Sequence, residues 1–334
     1  MRIGVLAITT GGKKLAKQLV QQMDNAALIK SCGTIFTTIE KQWPLYDGFI
    51  FIMATGIAVR AIAPLLRDKS VDPCVIVMDE KGCHVISLLS GHIGGGNDLA
   101  RSLAELTGGS AVITTASDTL HLVALDLWAE KQHLIAEEKN QLTAASARLV
   151  NTGHLRIFSE LTVDSLPAGL RQTDNRDTAD IIISSFITTT RSLAVFRPVN
   201  IVIGTGCNRG TPPEEFEEAL SEMLDDLNLS RLSIRNLASI DKKNDETGLL
   251  TFAANNNWAI DFFNSDTINT LNNIEISFAA LKAVGAIGVA EPTALLSAGS
   301  NLLLSRKRKW KNITMAVAQV PFSLSAQVRD LSSI

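Results

Sequence analysis

The sequence predicts an α/β protein. It has an N-terminal open, mixed sheet of the Rossmann-like kind, a small middle module and a C-terminal α/β domain. Three observations carry that expectation. Short apolar runs alternate with amphipathic stretches through residues 1–130. The apolar fraction is 46%, mostly Ala, Leu, Ile and Val, with only 5% aromatics, a composition suited to buried parallel strands flanked by helices. Twice, an apolar run leads through a glycine-rich segment into a helix start. The 334 residues divide on this basis into 1–130, 131–198 and 199–334.

In chain order, residues 2–9 read as a strand, Gly11-Gly12 as a turn and 13–23 as an amphipathic helix. A second apolar strand at 47–53 ends at Thr55-Gly56, and 57–66 is helical with Pro64 interrupting it. Strands at 74–78 and 84–89 meet at the turn Glu80-Lys81-Gly82, a hairpin that makes the sheet mixed. Ser90 to Asn97 is a glycine-rich loop, followed by a helix at 98–106 and a strand at 111–115. The middle region offers a polar helix at 137–149, strands at 154–158, 181–185 and 193–196, and a loop at 164–180. A new unit opens with a strand at 201–203 and a loop at 204–210. Thr211-Pro212-Pro213-Glu214-Glu215 then reads as a helix start: a capping hydroxyl, prolines in the first turn, and carboxylates at the positive end of the dipole. Helices at 245–256 and 292–304 and strands at 259–263 and 313–318 complete it.

Composition excludes several function classes. Lys plus Arg is 31 against 34 Asp plus Glu, a net charge of −3, which argues against a general nucleic-acid binder. The apolar runs are strand-length, far short of the ~20 residues a bilayer span requires. The start of the chain runs directly into a strand-like segment with no cleavage pattern. Cys32, Cys74, Cys83 and Cys207 form no CxxC pair, so neither a zinc site nor a disulfide framework is expected, and a reducing cytoplasm is the default.

Two glycine-rich segments could present free N–H groups at a helix N-terminus, a geometry that holds anions. In the first, Gly94, Gly95 and Gly96 would let a ligand approach the backbone, and His92 is the histidine suited to proton transfer. A tight turn with a solvent-facing imidazole is the plain alternative, with Asn97 a helix cap. In the second, Gly206 to Thr211 is neither GxGxxG nor a P-loop. Arg209 there could fix a carboxylate or phosphate, and the thiolate of Cys207 could be stabilised by the helix end, though a buried inert thiol is the better reading. Arg60 and Lys69 follow another strand end and could bind an anionic substrate or be simply solvated. Asp118 is a base or an N-cap, and Glu291, preceding Pro292, guards a helix start or takes part in catalysis. The basic run Arg306-Lys307-Arg308-Lys309-Trp310-Lys311 reads as a solvated face.

Several strings together resemble one family. Ile62-Ala63-Pro64-Leu65-Leu66, Ile86-Ser87-Leu88-Leu89-Ser90-Gly91-His92-Ile93-Gly94-Gly95 and Val112-Ile113-Thr114-Thr115-Ala116-Ser117-Asp118 look like the N-terminal domain of the CbiG family of cobalt-precorrin-5A hydrolases. Gly204-Thr205-Gly206-Cys207, the stretch from Ala238 to Leu249 and Ala290-Glu291-Pro292-Thr293-Ala294-Leu295 are similar to its C-terminal domain, shared with CobE. The chain departs from the family pattern at Gly96, at Asn208 where a basic residue is usual, and at Ala290 where many relatives carry Cys, which rules out a thiol nucleophile there.

The resemblance implies hydrolysis of the ring A δ-lactone of cobalt-precorrin-5A, with release of acetaldehyde to give cobalt-precorrin-5B. It implies no organic cofactor and no metal site of the protein's own, the cobalt arriving with the substrate. The expected roles are His92 activating water, with Asp118 or Glu291 assisting, and the amides of Gly94 to Gly96 holding an oxyanion. Arg60, Lys69 and Arg209 are expected to position peripheral carboxylates. Expected partners are the corrinoid, other cobalamin-pathway enzymes and a second copy of the chain; no nucleic acid or membrane is expected. Two other classes compete: a nucleotide- or S-adenosylmethionine-dependent enzyme, which thermal-shift titration would reveal, and a non-catalytic corrinoid carrier, which would release no acetaldehyde.

Overall fold

The computed structural model describes residues 1–68, 71–92, 94–187, 189, 192–272 and 274–326, with the backbone alone at 139. They form two compact units, Met1–Leu127 and Trp128–Ile334.

The first unit runs β1 (Ile3–Ala7), α1 (Thr10–Gln22), β2 (Ala26–Leu28), α2 (Ile35–Gln42), β3 (Gly48–Ile52), α3 (Thr55–Ile62), β4 (Cys74–Met78), β5 (His84–Leu89), α4 (Gly96–Thr107), β6 (Ser110–Val112) and α5 (Ala116–Thr119), and α6 (Leu125–Lys131) crosses the unit boundary. Its six strands lie in the order β2-β1-β3-β4-β5-β6. All neighbours are parallel except β4 and β5. Burial on both faces explains the unbroken apolar run of β3: Ile50 and Ile52 join the core beneath α1 and α4, while Phe49 and Phe51 join the opposite core with α2 and α3.

The Gly11-Gly12 pair is not a turn but the first part of α1, capped by the Thr9 hydroxyl. A Cβ on Gly12 would lie 3.0 Å from Ile52 Cγ2, so glycine lets the helix start against β3. The sequence expectation omitted β2 and α2; β2 has three residues and α2 is a mixed Thr-rich stretch, too little for periodicity to register.

The second unit carries β7 (Leu134–Ala136), α7 (Lys139–Thr152), β8 (Leu155–Ser159), β9 (Thr162–Val163), β10 (Leu170–Gln172), β11 (Ile181–Ile183) and β12 (Ala194–Pro198). It continues through β13 (Ile201–Cys207), α8 (Pro213–Leu227), β14 (Ile234–Ile240), α9 (Thr247–Asn255), β15 (Ala259–Phe263), α10 (Ser265–Ile268), α11 (Phe278–Val284), α12 (Ala290–Ala298), β16 (Leu303–Lys309), β17 (Ile313–Gln319) and β18 (Ser323–Leu324). One sheet has the order β10-β8-β11-β12-β7 and a larger one the order β15-β14-β13-β17-β16. In the larger sheet β13, β14 and β15 are parallel, and β17 and β16 return antiparallel.

Four expectations are corrected here. The loop at 204–210 is strand as far as Cys207. Gly204 sits under α12, where a Cβ would lie 1.9 Å from the Ala290 carbonyl oxygen. Glycine is required there by the close approach of helix and strand, with no ligand involved. Thr211 does not cap α8; Pro212 is the N-cap, and the Thr211 hydroxyl donates to the Asn208 carbonyl at 2.9 Å. The basic run is not an undifferentiated solvated face, because Arg306 to Lys309 form the end of edge strand β16, and the helix expected at 292–304 stops at Ala298 with Gly299 in the left-handed region.

Candidate active site

The β4–β5 hairpin decides where the first glycine-rich loop emerges. Leu89 pairs with Val75, so the end of β5 lies beside the beginning of β4, and β6 runs parallel to β5. The loop after β5 and the segment after β6 therefore leave the sheet at the same edge. There His92 meets Asp118: Nε2 lies 3.1 Å from Asp118 Oδ2 and 3.2 Å from the Ser117 hydroxyl, while Nδ1 is 3.8 Å from Asp126 Oδ1. Asn97 donates to Asp118 Oδ2 at 2.9 Å and to the Thr115 hydroxyl at 3.1 Å, and Arg101 donates to Asp118 Oδ1. Gly91 is required by this arrangement, since a Cβ would come within 2.5 Å of the Asn97 amide oxygen.

The imidazole and both carboxylates are about one-fifth exposed, shielded yet reachable by water. Burial alone would raise the Asp118 carboxyl, but the hydrogen bonds and charges of Arg101 and His92 outweigh it and hold Asp118 below the usual carboxylate range. An ionised Asp118 that accepts Nε2–H fixes the tautomer and leaves the Nδ1 lone pair free for a proton.

Of the amides expected to hold an anion, those of Gly95 and Gly96 are otherwise occupied. Gly95 N donates to the His92 carbonyl at 2.8 Å, Gly96 N to Ser90 at 3.2 Å and Asn97 N to Gly91 at 2.8 Å. The glycines shape the loop: Gly95 has φ +73°, and a Cβ on Gly94 would meet Ser90 at 2.6 Å. Nor does Asn97 cap α4 through its side chain; it braces Asp118.

Arg60 is not part of this group. It lies on α3, which starts at the opposite edge of the sheet, and its guanidinium folds back over Gly56. That edge carries a crevice of about 410 Å³ at the ends of β1, β3 and β4, lined by Thr9, Thr55 and Glu80 among others. Lys69 falls outside the described residues.

The C-terminal candidates separate in the same way. Gly206, Cys207 and Glu291 line one cavity of about 460 Å³ in the second unit. Glu291 is buried, and its Oε1 accepts the Lys307 backbone N–H at 2.9 Å, tying α12 to β16. Burial pushes the Cys207 thiol up to about 11, against the opposing pull of Lys243 and Arg209, so it is a protonated, inert thiol. Arg209 is engaged outside the cavity by Asp245 and by the Lys242 carbonyl at 2.9 Å. What the sequence reading missed is a lysine wall: Lys307, Lys309 and Lys311 all line this cavity. The spacing of two between Lys307 and Lys309 was the available signal, because on a strand it places them on one face, with Lys311 following in the turn.

Fold and site together define a two-unit α/β protein with an imidazole–carboxylate pair on one unit and a cation-walled cavity on the other. Residues 37–118 match the family model "Cobalamin synthesis G N-terminal" and residues 201–318 match "Cobalamin synthesis G C-terminus". The cobalt-precorrin-5A hydrolase of Priestia megaterium is 33% identical, covering 95% of each chain. That of Salmonella typhimurium is 31% identical over 95% of this chain and 97% of its own. Protein CobE of Sinorhizobium sp is 32% identical over 39% of this chain and 85% of its own. The chain belongs to the cobalamin synthesis G family, CbiG.

Among the described residues, no helix is long and apolar enough to cross a membrane, and no group of three or more His, Cys, Asp or Glu side chains is placed to hold a metal ion.

Proposed function

We propose that this chain is a cobalt-precorrin-5A hydrolase of cobalamin biosynthesis, and that His92 is its general base. The observation that carries the reading is the end-to-end similarity to two cobalt-precorrin-5A hydrolases, each aligned over 95% of this chain. The His92–Asp118 pair supplies the chemistry that lactone hydrolysis requires.

Opening a δ-lactone with water breaks the acyl C–O bond, forms a new C–O bond from water and needs a base for the proton that water sheds. With Nε2 turned toward Asp118 at 3.1 Å, Nδ1 takes that proton. Asp118 steadies the resulting imidazolium, and Asp126, 3.8 Å from Nδ1, offers a second carboxylate beside the water. The imidazolium then returns the proton to the departing alkoxide, giving a ring carboxylate and a free hydroxyl. Loss of the two-carbon fragment as acetaldehyde takes the hydroxyl proton, again at Nδ1, and returns one to the macrocycle as the carbon–carbon bond breaks. Water is the co-substrate and no organic cofactor is assigned; the reaction in dialysed protein tests that.

Incubating the purified protein with cobalt-precorrin-5A and measuring acetaldehyde together with the corrinoid mass tests the reading. Acetaldehyde release from the wild type and its loss in His92→Ala are expected. Near-normal turnover of His92→Ala removes His92 from the mechanism, and corrinoid binding without acetaldehyde identifies a carrier.

A further inference from the structure

We infer that the cavity of the second unit is a docking site for the carboxylate-bearing edge of a tetrapyrrole. Lys307, Lys309 and Lys311 are its cationic contacts and α11 is its apolar wall; the inference rests on the hydrolase reading for the identity of the physiological ligand. Two walls of opposite character face each other across about 460 Å³. On one side stands the end of β16 and the turn after it, with the three lysines. On the other side lie Ala279, Ala280 and Ala283 of α11, small enough to leave a flat surface. The same segment leaves Phe278 81% exposed and Ile276 53% exposed, an unusual concentration of uncovered apolar side chains at a cavity rim.

The cations here are available. Arg308, on the opposite face of the strand, is paired with Asp226 at 2.6 Å, and the buried Lys243 is held by Glu246 at 3.5 Å. Lys307, Lys309 and Lys311 are exposed and make no side-chain hydrogen bond or ion pair among the described residues. The acidic groups of the cavity do not cancel them: Glu291 is buried against the Lys307 amide, leaving Glu275 as the one exposed carboxylate of the lining. Three cations on one wall facing a flat apolar wall match a ligand with a carboxylate edge and an apolar face. That is the description of a polycarboxylate tetrapyrrole, the substrate class of the hydrolase reading.

The test uses the intact chain, with uroporphyrin III as an octacarboxylate probe followed by fluorescence titration. Wild type is expected to bind it with an affinity that weakens as salt is raised. Replacing Lys307, Lys309 and Lys311 together by Gln should weaken binding roughly tenfold and raise KM for cobalt-precorrin-5A with kcat retained. Arg306→Gln, which removes one positive charge from a residue outside the cavity lining, should leave both unchanged. Wild-type binding that is absent or insensitive to salt overturns the inference, even if the triple variant does not fold, and so does a folded triple variant that binds as tightly as wild type. Failure of the wild type to release acetaldehyde overturns the hydrolase reading instead, while the porphyrin titration still decides the cavity.

Discussion

The two strand–glycine–helix junctions, Ser90 to Asn97 and Gly204 to Gly210, look alike in the sequence and do different work. In the first, the chain leaves the sheet, doubles back with Ser90 and Gly95 at positive φ, and delivers His92 to Asp118. In the second, the strand simply continues to Cys207, and its glycines admit α12 against the sheet. The lesson is that a glycine run marks a place where backbone must come close to something. The sequence does not say whether that something is a ligand or a neighbouring helix. At the first junction the amides of Gly95 and Gly96 are engaged by loop carbonyls; at the second, Gly204 to Cys207 lie in a ladder and the Gly210 amide donates to the Glu246 carboxylate at 2.7 Å.

Substitutions can break this comparison or sharpen it. The largest effect is expected at Gly204: a methyl group there meets the Ala290 carbonyl at 1.9 Å and Ala294 N at 2.7 Å. Gly204→Ala should therefore cost more than about 4 kcal/mol, read as a collapse of the urea midpoint. A stably folded variant would show that the segment is not packed strand. Next is His92→Ala, expected to reduce acetaldehyde release by at least ~10²-fold with the urea midpoint unchanged.

Asp118→Asn should follow, lowering kcat about tenfold or more through loss of the fixed tautomer. It carries a pH signature as well. The Asp118 carboxyl is held below its ordinary value, so its contribution to stability is complete above the unfolded carboxylate pKa of about 4 and is lost as pH falls through the lower folded value. Thermal midpoints should accordingly fall less steeply with acid in Asp118→Asn than in wild type over that window; equal slopes would contradict the assignment. Gly95→Ala is smaller still, because φ is +73° but no atom lies within 4 Å of the added methyl. It should cost about 1 kcal/mol, measured by the same denaturation. Cys207→Ala should change turnover least, since the thiol is pushed up to about 11; a large loss of kcat would restore the thiol to the chemistry.

Strong local patterns were legible in the sequence. The hairpin strands at 74–78 and 84–89 and the strand at 259–263 coincide with β4, β5 and β15, because each is a short apolar run between clear turn signals. His92 and Asp118 were both singled out, but their meeting depends on strand order, which no local pattern encodes. Asn97 was read as a cap because Asn favours that position; its bond to Asp118 comes from a segment 21 residues away. The lysine wall was hidden for a related reason. A run of mixed Arg and Lys looks uniform until it is known to be a strand, after which its alternate members face different surroundings.

The two reversed strands β5 and β6 separate the rims of the sheet. By running β5 and β6 against β4, the molecule installs its imidazole beside the beginning of β4 and leaves the endings of β1, β3 and β4, the customary mouth of such sheets, as separate territory. Loops on the two rims can then diverge independently: substitutions around Thr9, Thr55 or Glu80 can reshape one rim without disturbing the proton-handling pair on the other.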